Sequence, residues 1–118
     1  MYESLVHMPR QSLGELEQVL LLAILRLGGD GYGAAIRVEI LERTGRSITP
    51  GAIYPTLDRL EARGLLRSRV GGATAERGGR ARRYFKITAA GLREVKAAWK
   101  QTRQLAAGLT MLEDGRDG

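Results

Sequence analysis

The first third of the chain has the hydrophobic pattern of a helix with a broad apolar face. Ser12, followed three residues later by Glu15, predicts a capping box at the start of this helix, and Gly28-Gly29 predicts its end. A helix with apolar residues on so much of its surface requires burial on several sides. The residues at helical spacing are Leu13, Leu16, Val19, Leu20, Leu21, Leu22, Ile24 and Leu27.

Two shorter helices are predicted next, joined by a turn of a few residues. The first follows a Gly-Tyr-Gly sequence at 31–33, and Gly45 suits a left-handed C-cap at its end. Thr49 is a good N-cap and Pro50 a good first residue for the second, which Gly64 ends. Their inner faces are predicted to contain Ile36, Ile40 and Leu41 in the first helix, and Ile53, Leu57 and Leu60 in the second.

A β-hairpin is predicted after the third helix. Residues 65–70 form a short strand that pairs with 82–87, where apolar and polar side chains alternate with a period of two. The intervening segment, 71–80, contains four glycines and is predicted to be a mobile loop. Thr88 then caps a long final helix with two series of residues spaced seven apart, which is the spacing of a heptad seam. The series are Leu92, Trp99 and Ala106, and Val95, Thr102 and Leu109.

This order of elements predicts a mainly α-helical fold with a small β-hairpin, in the arrangement of a winged helix-turn-helix protein. Residues 1–11 are predicted to form a flexible N-terminal arm and 12–87 the winged helix-turn-helix domain. Residues 88–112 are predicted to form the C-terminal helix and 113–118 a loose tail.

Composition excludes several classes of protein. With no cysteine, disulfides and thiolate metal sites are absent, and we expect no metal and no cofactor. No apolar run is long enough for a membrane span, and the start of the chain lacks the layout of a secretion signal, so we expect a cytoplasmic protein. The single histidine, His7, stands alone, and nucleophile or nucleotide-binding motifs are missing, so an enzyme is not expected.

Positive charge is concentrated in one part of the chain. The formal net charge is +6, and residues 58–86 alone contain nine basic and three acidic residues. A charge run of this kind is often only a solvated surface. Its position beside a helix-turn-helix pattern favours a polyanionic partner, because Lys and Arg neutralise phosphates and release counterions. We therefore predict binding to double-stranded DNA.

The second helix of a helix-turn-helix pair lies in the major groove, so the third predicted helix is the candidate recognition helix. Small residues near its start allow the backbone to approach base edges, and its free N–H groups can bind a phosphate. The candidate contact residues, opposite the apolar face, are Thr49, Gly51, Ala52, Tyr54, Pro55 and Arg59.

The glycine-rich hairpin is the candidate wing. Arginine binds phosphate bidentately, and a flexible loop that presents it can enter a minor groove or lie along the backbone. An ordinary solvated turn is the alternative interpretation of this loop. The candidate wing residues are Arg77, Arg80, Arg82 and Arg83.

Two residues of the candidate recognition helix have a second interpretation. Tyr54 either contacts DNA or packs within the domain. Pro55, inside the helix, either bends its first turn or makes an apolar contact with a thymine methyl group. An RNA-binding or protein-interaction module on the same fold is the alternative function, although one Phe and one Trp make a poor stacking platform for single strands.

Three segments resemble the PadR family of bacterial transcriptional regulators. They are LEQVLLLAIL at 16–25 followed by GYG at 31–33, GAIYPTLDRLEARGLL at 51–66, and GRARRYFKITAAG at 79–91. The resemblance extends from about residue 13 to about residue 112, and the YPTL and RLE blocks are its most specific parts.

The resemblance implies a homodimeric repressor that binds a palindromic operator. In this family the last helix, with help from the first, forms the dimer, and in some members a tryptophan of the last helix stacks on a flat aromatic effector there. Trp99 is the candidate for that role, and filling the heptad seam is its alternative. The candidate interface residues are Leu92, Val95, Trp99, Thr102, Ala106 and Leu109.

Overall fold

The structure is a computed structural model that describes residues 12–71 and 82–113. The elements run in the order α1 (Glu15–Leu27), β1 (Gly31–Tyr32), α2 (Gly33–Thr44), α3 (Pro50–Ala62), β2 (Leu66–Gly71), β3 (Arg82–Ile87), α4 (Ala89–Ala106) and α5 (Thr110–Glu113). The fold is therefore mainly α-helical with a small antiparallel sheet, as predicted. The predicted arm, most of the wing loop and most of the tail lie outside the described residues.

The first helix begins later than the sequence pattern predicted. Gly14 is its N-cap, and its backbone N–H donates to the carboxylate of Glu17 at 2.8 Å. The predicted capping box of Ser12 and Glu15 is therefore wrong by two residues, because Glu17 makes the reach-back contact and Glu15 binds Arg46 instead. The predicted caps of α3 and α4 are confirmed: Thr49 accepts from the N–H of Ala52, and Thr88 from that of Gly91.

A hydrophobic core joins the first three helices to the sheet. Leu41, which was predicted to face inward on α2, is instead 47% exposed, whereas Ile48 in the turn after α2 is buried. Helix α4 adds Val95 to the core. The side chains with almost no exposed surface are Leu20, Leu21, Ile24, Ile36, Ile53, Leu57, Leu60 and Phe85.

The sheet has the strand order β1-β3-β2, with antiparallel pairs throughout. Strand β1 has only two residues, too few to show an alternating pattern, so the sequence did not predict it. Phe85 faces the helices and pairs in register with Ser68 and Gly31, whereas Tyr84 lies on the opposite face and pairs with Arg69 and Tyr32. The sheet thus has one face on the core and one face in solvent.

The last helix is shorter than predicted. Helix α4 ends at Ala106, and Gly108 adopts a positive φ of 84° before the short helix α5. Leu109 therefore lies outside α4, and the heptad pattern does not continue through it as one helix. Among the described helices, none combines the length and the apolar character needed to cross a membrane.

Candidate DNA-binding surface

The recognition-helix candidates lie together on the solvent side of α3. Ile53, Leu57 and Leu60 fix this orientation because they are fully buried on the opposite side of the helix. All six candidates are classed as exposed, namely Thr49, Gly51, Ala52, Tyr54, Pro55 and Arg59. Helix α3 continues through Pro55, so this proline does not end it.

Tyr54 contacts the start of α2. A Cβ atom added to Gly33 would overlap the hydroxyl and the ring of Tyr54, so the absence of a side chain at Gly33 makes room for the phenol. Tyr54 nevertheless keeps 43% of its surface exposed. Tyr54 therefore packs within the domain, as one interpretation predicted, and it keeps exposed surface, so its contact with DNA stays a prediction.

The wing arginines divide into two groups with different surroundings. Arg77 and Arg80 lie outside the described residues. Arg82 extends from the solvent side of β3, with its guanidinium carbon 4.4 Å from the centre of the Tyr32 ring. A hydrogen bond with the Tyr84 side chain and the proximity of Tyr32 raise the pKa of Arg82 above its ordinary value. Arg82 is thus exposed, charged and held in place.

Arg83, a candidate wing residue, binds two carboxylates of α3 at the base of the wing and keeps 41% of its side chain exposed, so its contact with DNA stays a prediction. Its guanidinium donates to Asp58 at 2.9 Å and to Glu61, both on α3, and it lies over the ring of Phe85. The physical reason is the strand register: Arg83 extends from the same face of β3 as Phe85, toward the helices. Two carboxylates therefore compensate its charge.

Glu61 is the centre of this contact between the wing and α3. Its carboxylate also accepts a hydrogen bond from the Ser68 hydroxyl at 2.8 Å. The bonds from Ser68 and Arg83 lower the pKa of Glu61 below its ordinary value, against a smaller opposing effect of burial. Hydrogen bonds and ion pairs to Glu61 thus connect β2 and β3, at the base of the wing, to α3.

We expect Glu61→Gln to destabilise the fold at pH 7 by about 1 kcal/mol or less, since its ion pair is partly exposed and screened by solvent. The pKa of Glu61 is lower in the folded than in the unfolded chain, so this stabilisation is present above the ordinary value of 4.5 and is lost as the pH falls through the folded value. Urea unfolding of both proteins at about pH 7 and about pH 4 measures the difference.

The matched control is Glu42→Gln, a change at an exposed glutamate of α2, which should alter the free energy of unfolding little at either pH. A difference between wild type and Glu61→Gln that stays constant with pH would show that the carboxylate charge does not stabilise the base of the wing.

The predicted interface residues of the last helix have different environments. Val95 is only 2% exposed and belongs to the core of its own chain, so it is not available to a partner, which corrects its assignment. Trp99 is 53% exposed, with the Arg103 guanidinium 5.7 Å from its ring centre. Leu92 and Leu109 are also exposed, as are three residues that the heptad pattern missed, Leu105, Met111 and Leu112.

Exposed apolar side chains also occur on α1, where Leu22 and Leu25 have 41% and 38% of their surface exposed. Groups of large exposed apolar side chains, as on α1 and from α4 to α5, are typical of a protein-interaction surface. The described residues contain no cluster of three or more His, Cys, Asp or Glu side chains that could hold a metal ion.

A curated protein with a similar sequence is named as a transcriptional regulator. The chain is 47% identical over 60 residues to the transcriptional regulator Rv3488 of Mycobacterium tuberculosis (strain ATCC 25618 / H37Rv), a match that covers 51% of each chain. The chain thus spans about half the length of this curated relative.

Solved structures extend the similarity to most of the fold. A PadR family transcriptional regulator from Eggerthella lenta DSM 2243 is 28% identical with a TM-score of 0.64, over 86% of this chain and 88% of that one. A winged-helix DNA-binding protein of STIV, 19% identical, shares the fold with a TM-score of 0.67, over 83% and 98% of the two chains. The family profile described as "Transcriptional regulator PadR-like family" matches residues 21–97, more than half of the chain. The chain therefore belongs to the PadR-like family of transcriptional regulators and has its winged-helix fold.

Proposed function

We propose that this regulator is a repressor that binds a palindromic operator in duplex DNA as a homodimer. The observation that carries the proposal is the exposed side of α3, which presents small residues, Tyr54 and Arg59. The sequence of the hairpin that follows α3 is strongly basic. A helix with this exposed side fits a major groove, and the basic wing fits the phosphates next to it.

Pairing of two subunits is supported by the exposed apolar residues of α4, α5 and α1. A twofold pair places its two recognition helices in successive major grooves, about 34–36 Å apart. Occupation of the operator then blocks access of the polymerase to the promoter. Trp99, exposed and next to Arg103, is the residue we propose for stacking on a small aromatic effector, whose binding alters the spacing of the two recognition helices.

Separate variants of the wing and the recognition helix test the assignment of roles. Arg82→Glu should weaken binding to all duplexes alike, because a phosphate contact carries no sequence information, whereas Tyr54→Phe should change the sequence preference as well. The measurement is fluorescence anisotropy with a duplex selected from a random library and with an unrelated duplex.

The logarithm of affinity should fall with the logarithm of salt concentration, with a slope of about −0.9 per phosphate neutralised.

A salt response close to zero, or equal losses on both duplexes for both variants, contradicts the proposed roles. A single-stranded RNA of the selected sequence is the comparison for the alternative function. Tighter binding of that RNA than of the duplex at the same salt concentration would favour an RNA-binding module.

A further inference from the structure

The solvent side of the sheet is a second basic surface, separate from the wing tip. The register places Arg67 opposite Lys86 and Arg69 opposite Tyr84 on neighbouring strands, with their side chains on the face away from the core. Tyr32 extends the same face onto β1. We refer to this surface as the outer sheet face, and it consists of Tyr32, Arg67, Arg69, Arg82, Tyr84 and Lys86.

The charge of the outer sheet face is uncompensated within the part of the chain that the structure describes. None of its four cations forms an ion pair with a described carboxylate, in contrast to Arg83 on the opposite face, which binds Asp58 and Glu61. All four cations are classed as exposed. Four positive charges on one small sheet produce a local potential that attracts an anionic partner.

Two of the cations are held in place by stacking on tyrosine rings. The guanidinium carbon of Arg69 lies 4.5 Å from the Tyr84 ring centre, and that of Arg82 lies 4.4 Å from the Tyr32 ring centre. Arg69 also donates to the carbonyl of Gly29 at 3.1 Å. Because these two arginine side chains are already ordered, phosphate binding costs less conformational entropy.

The same stacking decides which kind of nucleic acid suits this surface. Single-stranded RNA or DNA binds to proteins by stacking its bases on open aromatic faces. Here one face of each tyrosine is covered by an arginine, and the two rings contact each other edge-on, with centres 5.5 Å apart. The surface instead presents the N–H groups at the edges of the guanidinium planes, and these donors match the geometry of phosphate oxygens.

The outer sheet face continues to the recognition helix. Tyr32, beneath Arg82, directly precedes Gly33, and Gly33 contacts Tyr54 of α3. At the other end, an open depression of about 310 Å³ lies between Gly29 and the two cations of the Arg67–Lys86 pair. The Arg82 end of the outer sheet face therefore lies close to Tyr54 of α3.

We propose that the outer sheet face binds the sugar–phosphate backbone of duplex DNA that flanks the sequence contacted by α3. The inference rests on the proposed function and adds to it a second contact beyond the wing. The DNA segment bound by each subunit is then longer than a recognition helix and a wing tip alone require.

Two duplexes and one double variant test this inference. The first duplex is the selected sequence alone, and the second carries ten additional base pairs of mixed sequence at each end. Arg67→Gln with Lys86→Gln removes two cations but leaves both arginine–tyrosine stacks intact. On the longer duplex, the slope of log affinity against log salt concentration should be less steep for the double variant by about 1.8 per subunit, which corresponds to two phosphate contacts. On the shorter duplex, the change in this slope should be much smaller.

The control is Arg93→Gln with Lys96→Gln, which removes two cations from the surface of α4 and should leave the salt dependence on both duplexes unchanged. Lys86→Gln alone should change the salt slope by about half as much as the double variant. This single variant tests the inference if the double variant does not fold. Equal salt slopes of wild type and double variant on the longer duplex overturn the inference, as does an equal reduction on both duplexes.

The outcomes separate the two proposals. Tight binding of the shorter duplex together with an unaffected double variant rejects only the sheet contact. Failure of the wild type to bind either duplex rejects the proposed function and the inference with it. Preferential loss of single-stranded binding in the double variant assigns the surface to a different nucleic acid and also overturns the inference.

Discussion

Gly91→Ala is expected to lower the free energy of unfolding by about 3 kcal/mol or more. Gly91 is buried in the first turn of α4, where a Cβ atom would overlap the backbone carbonyl of Leu65 and lie 2.8 Å from a side-chain carbon of Ile87. The carbonyl cannot move freely because it accepts the N–H of Thr88 at 3.1 Å. Helix α4 would have to shift away from the end of the hairpin, and the core contact of Val95 would open with it.

Gly51→Ala is a matched control for this prediction. Gly51 also lies in the first turn of a helix, but a Cβ atom there would have only the Thr49 hydroxyl nearby, at 3.9 Å. Alanine is favoured over glycine in a helix, so this variant should be neutral or more stable by about 0.5 kcal/mol. Thermal unfolding should give a midpoint about 12 °C lower for Gly91→Ala. Equal midpoints for the two variants would contradict the tight packing of α4 on Leu65.

The elements that the sequence predicted correctly are those with a local signal. Helices α1 to α3 have apolar residues at helical spacing, and Thr49 and Thr88 are caps whose partners lie three residues away. The hairpin was predictable because β3 alternates and glycines interrupt the chain before it. These patterns are properties of short segments, so they can be recognised without knowing which helices and strands pack against each other.

The features that the sequence did not predict come from contacts between distant segments. The charge pattern identifies Arg83 as a wing cation but does not reveal its ion pairs with carboxylates 22 and 25 residues earlier in the chain. Val95 fits the heptad seam, but it completes the core of its own domain because α4 crosses α1 and the sheet. Strand β1 exists only because β3 provides its hydrogen-bonding partners. No local pattern encodes these pairings.

The three residues of the Gly-Tyr-Gly sequence at 31–33 have different structural roles, which the sequence alone does not distinguish. Gly31 is buried opposite Phe85 in the sheet, Tyr32 supports Arg82, and Gly33 makes room for Tyr54 of the recognition helix. The motif therefore joins β3, the strand that follows the wing loop, to α3.

The proposed function requires two copies to act together for full affinity, and Trp99→Glu tests this requirement. Trp99 keeps 53% of its surface exposed, and the neighbouring exposed residues Leu92 and Leu105 are also apolar. Glutamate removes the apolar surface of the indole, and its carboxylate would have to lose water between two subunits even with Arg103 beside it, so the variant should be a monomer by analytical ultracentrifugation. Because Trp99 lies outside the core cluster, the monomer should remain folded.

The loss of pairing should reduce affinity for the selected duplex by roughly 10²–10⁴-fold, since the second recognition helix no longer binds as part of the same molecule. The control is Gln101→Glu, a nearly isosteric substitution that adds the same charge at an exposed position of α4. It should leave both the molecular mass of the assembly in solution and the affinity for the selected duplex unchanged. The affinity of Trp99→Glu for an unrelated duplex should fall much less, because electrostatic binding does not depend on half-site spacing. A dimeric Trp99→Glu variant with wild-type affinity would place the pairing surface elsewhere on the molecule.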